Sequence, residues 1–427
     1  MKKILFQNII PLWLAWVLIV IGFQALATAR FQPRWPDRAQ EWTERSTGSG
    51  YQKGDIYLLD PFMNDQVAWD SEYYLGIATG GYKDHRVPTL TTTGETIPAN
   101  DPTRNLQGSY SLSYAFFPLY PWTIWFVHWP LKFFGLDPIA TSTLGGVLVS
   151  ALGTLAGMLA LFDLTRDSLE EDGAMRAVFY LLIFPTGFFL VQVYSEGMFI
   201  GLAFGCLALL KRGQWVFAAI LGAAAALTRA VGVALVIPMA ITWIRTSGWM
   251  DRDHGRQQFF SEGIPWRSLV RALLVFAPLV AFLIWKFSYL GLAFDFIETH
   301  FFGRGVLDLG KAYFFWSEAY KSMFLGIPER TVYYLTEYIG LTIGVITCVT
   351  CLKYDPEIAW FSLAVLLISW GSGPAQGIQR YILAAPAVFI MLARWGKNPI
   401  FDRAWTIFSL LLMGLLAMLF AFNYWVA

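Results

Sequence analysis

The sequence predicts an all-α, polytopic membrane protein, and three observations lead to this prediction. Of the 427 residues, 56% are hydrophobic and only 14% are charged, whereas soluble domains carry charges at about a quarter of their positions. Apolar runs long enough for a membrane-spanning helix recur along most of the chain. Aromatic residues are abundant, with 19 Trp, 19 Tyr and 35 Phe, which is typical of rings at two membrane interfaces. The net charge of +1 indicates no nucleic-acid partner.

The first element is the segment of residues 1–29, MKKILFQNIIPLWLAWVLIVIGFQALATA. Its basic start, apolar centre and small carboxyl-terminal residues resemble a signal peptide. The apolar run is long for one, which favours an uncleaved first transmembrane helix. Either interpretation delivers the following residues to the non-cytoplasmic side.

Residues 30–138 follow as a long first outer loop. Its stretch VPTLTTTGETIPANDPTRN lacks apolar periodicity and is typical of a mobile loop. Residues 112–134 are apolar but contain three prolines, so they are either a membrane span or an interfacial helix. The charges of the remaining chain decide between the two.

Residues 139–427 are predicted to form a transmembrane bundle with a second outer loop at 291–330. The positive-inside rule assigns the short basic loops between spans to the cytoplasm. One alternation satisfies all of these loops, but only if residues 112–134 do not cross. We therefore predict an interfacial segment there and eleven spans with the amino terminus inside. After residues 1–29 the candidate spans are 139–162, 177–193, 195–210, 215–229, 231–245, 269–290, 331–352, 357–371, 381–393 and 404–424.

Four polar motifs share the outer side in this topology. The helices that lead to two of them are short, since residues 177–193 rise only about 25 Å and the hydrocarbon core is about 30 Å thick. An arginine exposed to lipid near the bilayer centre costs about 2.5–3.5 kcal/mol or more. We therefore expect Glu196 and Arg229 in a wet, protein-lined cavity below the outer surface. The motifs are WDSE at 69–72, YSE at 194–196, LTRAVG at 227–232 and GIQRY at 377–381.

Asp70 is the candidate catalytic base of the first motif. The alternative is structural, with Asp70 as a helix N-cap and Trp69 as an interfacial anchor. Glu72 has its own structural alternative, a solvated first-turn residue or a salt-bridge partner.

The other motifs supply the candidate substrate-binding residues. Glu196 and Arg229 are either site residues or a structural ion pair between adjacent helices. Arg380 follows a Gly-rich turn, where backbone can approach a ligand closely, and its guanidinium suits phosphate. Its alternatives are a helix cap and a headgroup anchor. The full substrate-binding set is Trp69, Glu72, Tyr194, Glu196, Arg229, Arg380 and Tyr381.

Four further residues lie outside this candidate set. Tyr82 and His128 are more typical of interfacial aromatic positions. His300 and Arg304, in the second outer loop, either contact a headgroup or are solvated, and the sequence does not choose.

No metal or other cofactor is expected. Cys348 and Cys351 share a helical face, but no His or carboxylate is spaced to complete a metal site with them. Asp60 and Asp65 precede Asp70, and their spacing is not a metal signature. We therefore predict catalysis independent of metal.

One carboxylate and two arginines beside lipid suit inverting glycosyl transfer from a lipid-phosphate sugar. The carboxylate takes the proton of an acceptor hydroxyl, and the phosphate leaves as an anion, so no general acid is needed, unlike glycoside hydrolysis. Arginines stabilise the charge on the leaving oxygen. The runner-up is a lipid or glycolipid transporter, since buried charges and broken helices also mark transport paths. A third possibility is a non-enzymatic assembly subunit.

The motifs resemble those of PIG-V-type mannosyltransferases, which belong to the GT-C superfamily. The likeness runs over residues 69 to 386, and the carboxyl-terminal span and loop 83–110 lie outside it. Ala230 departs from the family, which often has Pro after this arginine. The matching stretches are WDSEYYLGIATGGY, AFFPLYP, YSEGMFIGLAF, LTRAVGVALVIP and QRYILAAP.

The resemblance implies a GT-C-like fold whose first outer loop forms interfacial helices and carries the catalytic aspartate, here Asp70. It implies a polyprenyl- or dolichyl-phosphate mannose donor and a lipid-linked or membrane-associated acceptor. The active site would face the non-cytoplasmic side, at the plasma membrane of a prokaryote or the endoplasmic reticulum of a eukaryote.

Overall fold

The computed structural model confirms a predominantly helical membrane protein. It describes residues 4–48, 55–99, 101, 108–247, 266–305 and 307–427. The helices, in chain order, are α1 Ile10–Arg30, α2 Glu41–Ser46, α3 Ile56–Leu59, α4 Ser71–Gly80, α5 Leu119–Leu131, α6 Pro138–Leu182, α7 Glu196–Lys211, α8 Trp215–Ala226, α9 Val236–Thr246, α10 Trp266–Val275, α11 Ala277–Lys286, α12 Tyr289–His300, α13 Leu309–Ser322, α14 Pro328–Cys351, α15 Pro356–Trp370, α16 Ile378–Tyr381, α17 Pro386–Trp395 and α18 Pro399–Ala421.

Short irregular turns interrupt these helices. A π-helical turn precedes α1, and 3₁₀ turns join several of the others. They are Leu5–Ile9 for the π turn, and Asn64–Gln66, Leu112–Ala115, Lys132–Phe134, Gly187–Val191, Ala230–Leu235 and Ile382–Ala384 for the 3₁₀ turns.

Within the described residues, four helices are long and apolar enough to cross a membrane. A fifth span results if α10 and α11, which meet at a bend of 42°, are counted together. The other predicted spans coincide with shorter apolar helices and 3₁₀ turns, so the count of eleven stays a prediction. The four are Phe6–Arg30, Pro138–Leu182, Pro328–Cys351 and Pro399–Ala421.

The long helix α6 contains a break where the sequence predicts a cytoplasmic loop. Its backbone leaves the helical region at Glu170, with φ of 61° and ψ of 177°. Ion pairs join this region to the loop after α7, with Lys211 Nζ 2.9 Å from Asp167 and Arg212 2.5 Å from Asp163. Two loops that the charge rule assigned to one side of the membrane therefore lie at the same end of the bundle.

Part of the predicted mobile loop forms a small sheet instead. Strand β1 (Thr89–Thr91) lies between β2 (Thr96–Ile97) and β3 (Ser109–Ser111), and both pairings are antiparallel. Val87 and Leu90 are fully buried beneath it. The prediction was wrong here because strands of two or three residues are too short to show a period of two. Residues 100 and 102–105 of that stretch lie outside the described part.

The packing of α6 on α7 brings two backbones into direct contact. A Cβ atom on Gly153 would lie 2.6 Å from the Gly197 carbonyl oxygen, and one on Gly197 would lie 2.2 Å from that of Ser150. Small residues at helix interfaces in membranes permit this close approach. The contact holds the start of α7, and hence Glu196, against the core of the bundle.

The first helix is tied to both the outer loop and the last helix. Gln24 of α1 is fully buried, and its side-chain amide donates to the carbonyl oxygens of Asp65 (3.1 Å) and Ala417 (3.2 Å). Its Oε1 accepts from Gln192 Nε2 at 3.0 Å. These buried hydrogen bonds join α1, α18 and the loop that leads to Asp70.

Candidate active site

The WDSE and YSE motifs are joined by a set of backbone hydrogen bonds. The Val193 N–H donates to the Gln66 carbonyl at 3.1 Å, and Ser71 Oγ donates to the Val193 carbonyl at 3.1 Å. The Tyr194 hydroxyl donates to the Ala68 carbonyl at 3.1 Å and accepts from the Asp70 N–H at 3.3 Å. Because buried backbone groups require partners, this arrangement holds the backbone of Asp70 in place.

The Asp70 carboxylate is directed to a cation rather than to its own helix. Asp70 stands at the N-cap position of α4, but its side chain makes no capping hydrogen bond. Its Oδ2 accepts from Arg380 Nη1 at 3.1 Å. The structural alternative of an N-cap therefore does not describe this side chain. Asp70 keeps 17% of its side chain exposed, so the carboxylate remains accessible.

Trp69 packs in a cluster of three indoles and has a constrained backbone. Its φ of +48° lies in the left-handed region, where a residue with a bulky side chain is uncommon. Its ring meets those of Trp42 and Trp425 edge to face, with centroids 5.4 and 5.6 Å away. Its buried indole N–H makes no hydrogen bond among the described residues. This packing balances the strain in the backbone that precedes Asp70.

Glu196 lies between two arginines. It forms a short ion pair with Arg229 Nη1, and Arg380 Nε lies 3.3 Å from the same oxygen, Oε1. The Arg380 Nε–H is not aligned to hydrogen-bond that oxygen. Side-chain exposure is only 4% for Glu196 and Arg380 and 11% for Arg229. Charges this buried require partners, and each is balanced by its neighbours.

Aromatic rings cover the arginines. The Arg380 guanidinium lies 5.2 Å from the centroid of Tyr194 and 5.9 Å from that of Tyr381, and Arg229 lies 4.7 Å from Tyr381. Such cation–π contacts favour a fixed orientation of the planar group. Tyr194 and Tyr381 therefore pack against the arginines of this cluster, and their predicted role in substrate binding stays a prediction.

Glu337, which sequence analysis missed, positions Arg380. Its buried carboxylate on α14 accepts from the N–H groups of Gly377 (2.9 Å) and Ile378 (2.8 Å). Gly377 has a φ of +77°, which favours glycine. These contacts set the start of α16, the short helix that carries Arg380. A lone carboxylate inside an apolar span was the available signal, since such residues are functional candidates by default.

Two residues of the second outer loop also reach the cluster. Glu298 on α12 is within electrostatic range of Arg304 and Asp70, and burial raises its pKa to about 7. Burial opposes the charge of Arg304, but the neighbouring acidic groups Tyr381, Glu298 and Asp70 more than offset it and raise the pKa of the guanidinium. Arg304 is therefore not simply a solvated loop residue. The sequence could not indicate this, because the loop and the motifs are far apart along the chain.

Glu72 is not a solvated residue of the first helical turn. Its side chain is buried, and Oε1 has no hydrogen-bond partner in the described part of the chain. Burial raises its pKa well above the usual range, and the negative charge of Asp55 adds to the effect. The solvated alternative is thus wrong, and the structure does not bring Glu72 into ion-pair contact with the arginines. Its role in substrate binding stays a prediction.

Other positions of the first motif, at its carboxyl-terminal end, have structural roles. A Cβ atom on Gly80 would lie 2.1 Å from the Asp84 carboxylate, which is paired with Arg86 at 2.7 Å. Tyr82 donates to the Phe116 carbonyl at 2.7 Å. The GGY end of the motif therefore closes the outer loop on itself.

His128 and His300 make their hydrogen bonds outside the ion-pair cluster. His128 Nδ1 lies 3.1 Å from Ser142 Oγ, and His300 Nδ1 lies 2.9 Å from the Phe296 carbonyl of its own helix. Each is accounted for by a local contact.

The described residues contain no group of three or more His, Cys, Asp or Glu side chains arranged to hold a metal ion. Metal independence stays a prediction. The three cysteines are buried, as expected for small core residues. In the cluster, Asp70 provides an accessible carboxylate, and Glu196 and Glu298 provide two more enclosed ones. The three arginines are Arg229, Arg304 and Arg380. This arrangement suits proton abstraction beside an anion.

Comparison with known proteins gives distant structural likenesses. No family model and no curated protein matches the chain. The apo oligosaccharyltransferase of Archaeoglobus fulgidus is similar at 13% identity and a TM-score of 0.46, over 99% of this chain and 57% of that one. ArnT from Cupriavidus metallidurans, bound to undecaprenyl phosphate, is similar at 16% identity and a TM-score of 0.46, over 86% of this chain and 70% of that one.

The oligosaccharyltransferase AglB from Archaeoglobus fulgidus, in complex with an inhibitory peptide and a dolichol-phosphate, is similar at 13% identity. Its TM-score is 0.44, over 96% of this chain and 56% of that one. The present chain thus spans little more than half the length of these oligosaccharyltransferases. These likenesses are distant, at 13–16% identity.

Proposed function

We propose that this protein is an inverting membrane glycosyltransferase of the GT-C type. It moves a sugar from a polyprenyl- or dolichyl-phosphate donor to a lipid-linked or membrane-associated acceptor on the non-cytoplasmic side. The observation that carries the proposal is the accessibility of the Asp70 carboxylate within a network of buried charges. Asp70 is the most accessible residue of the ion-pair network it forms with Arg380, Glu196 and Arg229, and it serves no capping role.

In the proposed reaction Asp70 acts as general base. It removes the proton of an acceptor hydroxyl as that oxygen forms a bond to the anomeric carbon of the donor. The bond from the anomeric carbon to the phosphate oxygen breaks on the opposite face, and the lipid phosphate leaves with the electron pair. Because the phosphate departs as an anion, no protonated acid is required.

Arg380 orients the base and contributes positive charge. Its hydrogen bond to Asp70 Oδ2 leaves the other carboxylate oxygen available for the acceptor proton. Preorganised cations around developing charge are a large source of catalysis, because they need no rearrangement during the reaction. Glu196 balances Arg229 and Arg380 and keeps both in place.

The sugar is proposed to be mannose because the motifs around Asp70 resemble those of PIG-V-type mannosyltransferases. The acceptor of eukaryotic members of that family is not carried over. Transport of a lipid or glycolipid is the alternative function, and it predicts no change in the mass of any acceptor.

The experiment that tests the proposal is sugar transfer by the purified protein in nanodiscs. A short-chain polyprenyl-phosphate mannose serves as donor and total membrane lipid as acceptor, with mass spectrometry of the products. We expect Asp70→Asn to lower the rate by about 10²-fold or more, as for loss of a general base. Asp172→Asn, the same change at an exposed carboxylate outside the cluster, is the matched control. Equal transfer by the Asp70 variant would refute its role as base.

A further inference from the structure

The arginines of the cluster differ in how their charge is balanced. Arg229 is paired with Glu196, and Arg380 is shared between Asp70 and Glu196. A ligand anion that bound to either would compete with a buried carboxylate already in contact. Neither arginine therefore has its full charge available for an incoming phosphate.

Arg304 is different, because it forms no ion pair within the described residues. Its guanidinium lies 6.0 Å from the Phe302 ring centroid, and no carboxylate there comes within salt-bridge distance of it. It nevertheless lies within electrostatic range of Tyr381, Glu298 and Asp70. A largely enclosed arginine thus lies near these acidic groups without a described carboxylate in ion-pair contact with it.

The backbone around Arg304 is firmly placed. The Arg304 N–H donates to the Glu298 carbonyl at 2.8 Å, and the next residue, Gly305, donates to the Ser372 carbonyl at 2.8 Å. A Cβ atom on Gly373 would lie 3.1 Å from the Gly303 carbonyl oxygen. The loop therefore rests directly on the Gly-rich turn that leads to Arg380. The segment that carries Arg304 therefore contacts the turn that positions the partner of Asp70.

The segment that carries Arg304 presents apolar side chains to its surroundings. Residues on either side of it expose large hydrophobic side chains, which a polyprenyl chain can contact and a free phosphate ion cannot. These side chains are Phe301 (40% exposed), Leu307 (48%), Leu309 (53%) and Tyr313 (73%). A cation beside an apolar surface suits an anionic headgroup joined to a hydrocarbon chain.

We propose that Arg304 is the principal cation that binds the phosphate of the lipid-linked donor and of the lipid-phosphate product. This inference rests on the proposed function, since it assigns a residue to the donor of that reaction. It goes beyond the motif residues, because Arg229 and Arg380 then hold the carboxylates in position while Arg304 contacts the ligand. Arginine suits the task through its planar pair of donors to phosphate oxygens.

The experiment measures binding of farnesyl phosphate to the full-length protein in neutral-lipid nanodiscs. We expect Arg304→Gln to raise the dissociation constant by about tenfold or more, as for loss of a charge-assisted contact, and Arg304→Lys to raise it less. Lys311→Gln, at an exposed cation of the same loop, is the matched control and is expected to bind like wild type. Inorganic phosphate is run in parallel, and it should bind much more weakly because it lacks the chain.

Two outcomes would overturn the assignment. The first is an unchanged dissociation constant in Arg304→Gln with a thermal melt like wild type, and the second is no binding of farnesyl phosphate by wild type. If Arg304→Gln does not fold, Arg304→Lys decides the question. Wild-type affinity of that variant for farnesyl phosphate, with the same dependence of binding on salt concentration, would refute the bidentate contact that the assignment requires. Failure of the proposed function looks different, since Arg304-dependent binding would persist while no sugar is transferred to any acceptor.

Discussion

Replacement of Glu337 by Gln tests whether a residue remote from the reacting atoms positions the base. The Glu337 carboxylate is fully buried and accepts two backbone N–H groups, at 2.9 and 2.8 Å. A glutamine keeps one acceptor oxygen and places an NH₂ group against the other N–H. One hydrogen bond to a charged acceptor is lost, and each such bond contributes about 1.5–3 kcal/mol.

The expected result is a loss of about 1.5–3 kcal/mol in the free energy of unfolding, with a larger relative loss of turnover. Turnover falls because Gly377 and Ile378 begin the short helix that carries Arg380, and Arg380 orients Asp70. Unfolding is measured by denaturant titration in detergent, and transfer is measured on the fraction that remains folded.

Thr347→Val on the same helix is the matched control. Thr347 is also buried, but its hydroxyl donates only to carbonyls of its own helix, at 2.7 and 2.9 Å. We expect little effect on turnover from this change. If Glu337→Gln retained wild-type stability and turnover, the proposed chain from Glu337 through the turn to Asp70 would be refuted.

Two further predictions concern charge in the cluster. Burial raises the pKa of Glu298 to about 7, so it is neutral at lower pH and a carboxylate at higher pH, where it competes for Arg304. The charge of a phosphodiester donor does not change in this range, so the KM for the donor should rise as pH increases through 7. Glu298→Gln should remove that rise. A wild-type KM that does not depend on pH would contradict this role of Glu298. Arg229→Gln leaves Glu196 buried without its closest partner and should lower the free energy of unfolding by about 3–5 kcal/mol, measured by denaturant titration. The double variant with Glu196→Gln should recover most of that loss. Equal destabilisation of the single and the double variant would show that the pair is not coupled.

That the polar motifs lie close together could be predicted from the sequence, because each motif places charged residues where an apolar helix ends. Charged residues at the ends of short apolar helices have to meet other polar groups, and Glu196 and Arg229 do so across neighbouring helices. Asp70 and Arg380 are 310 positions apart, and only the charge rule for the loops indicated that they share a side. Helix bounds such as Glu196–Lys211 lie close to the predicted span 195–210.

What the sequence could not predict depends on contacts between distant segments. Glu337 acts through backbone N–H groups forty positions away, which carry no sequence signature. A solvated Glu72 was one expectation because a position in a first helical turn is usually exposed, whereas the structure buries this side chain. The strands β1 to β3 were missed because their pairing, rather than any local pattern, makes them a sheet.

The contact between Gly153 and Gly197 limits which parts of this protein can change by mutation. Any larger side chain at either position would collide with the facing backbone, so the part of the molecule that holds Glu196 is closed to change. Several side chains on either side of Arg304 are exposed instead, so substitutions there meet no facing backbone. Mutations beside Arg304 could therefore change which lipid the proposed reaction uses, while the backbone that positions Glu196 next to the base stays the same.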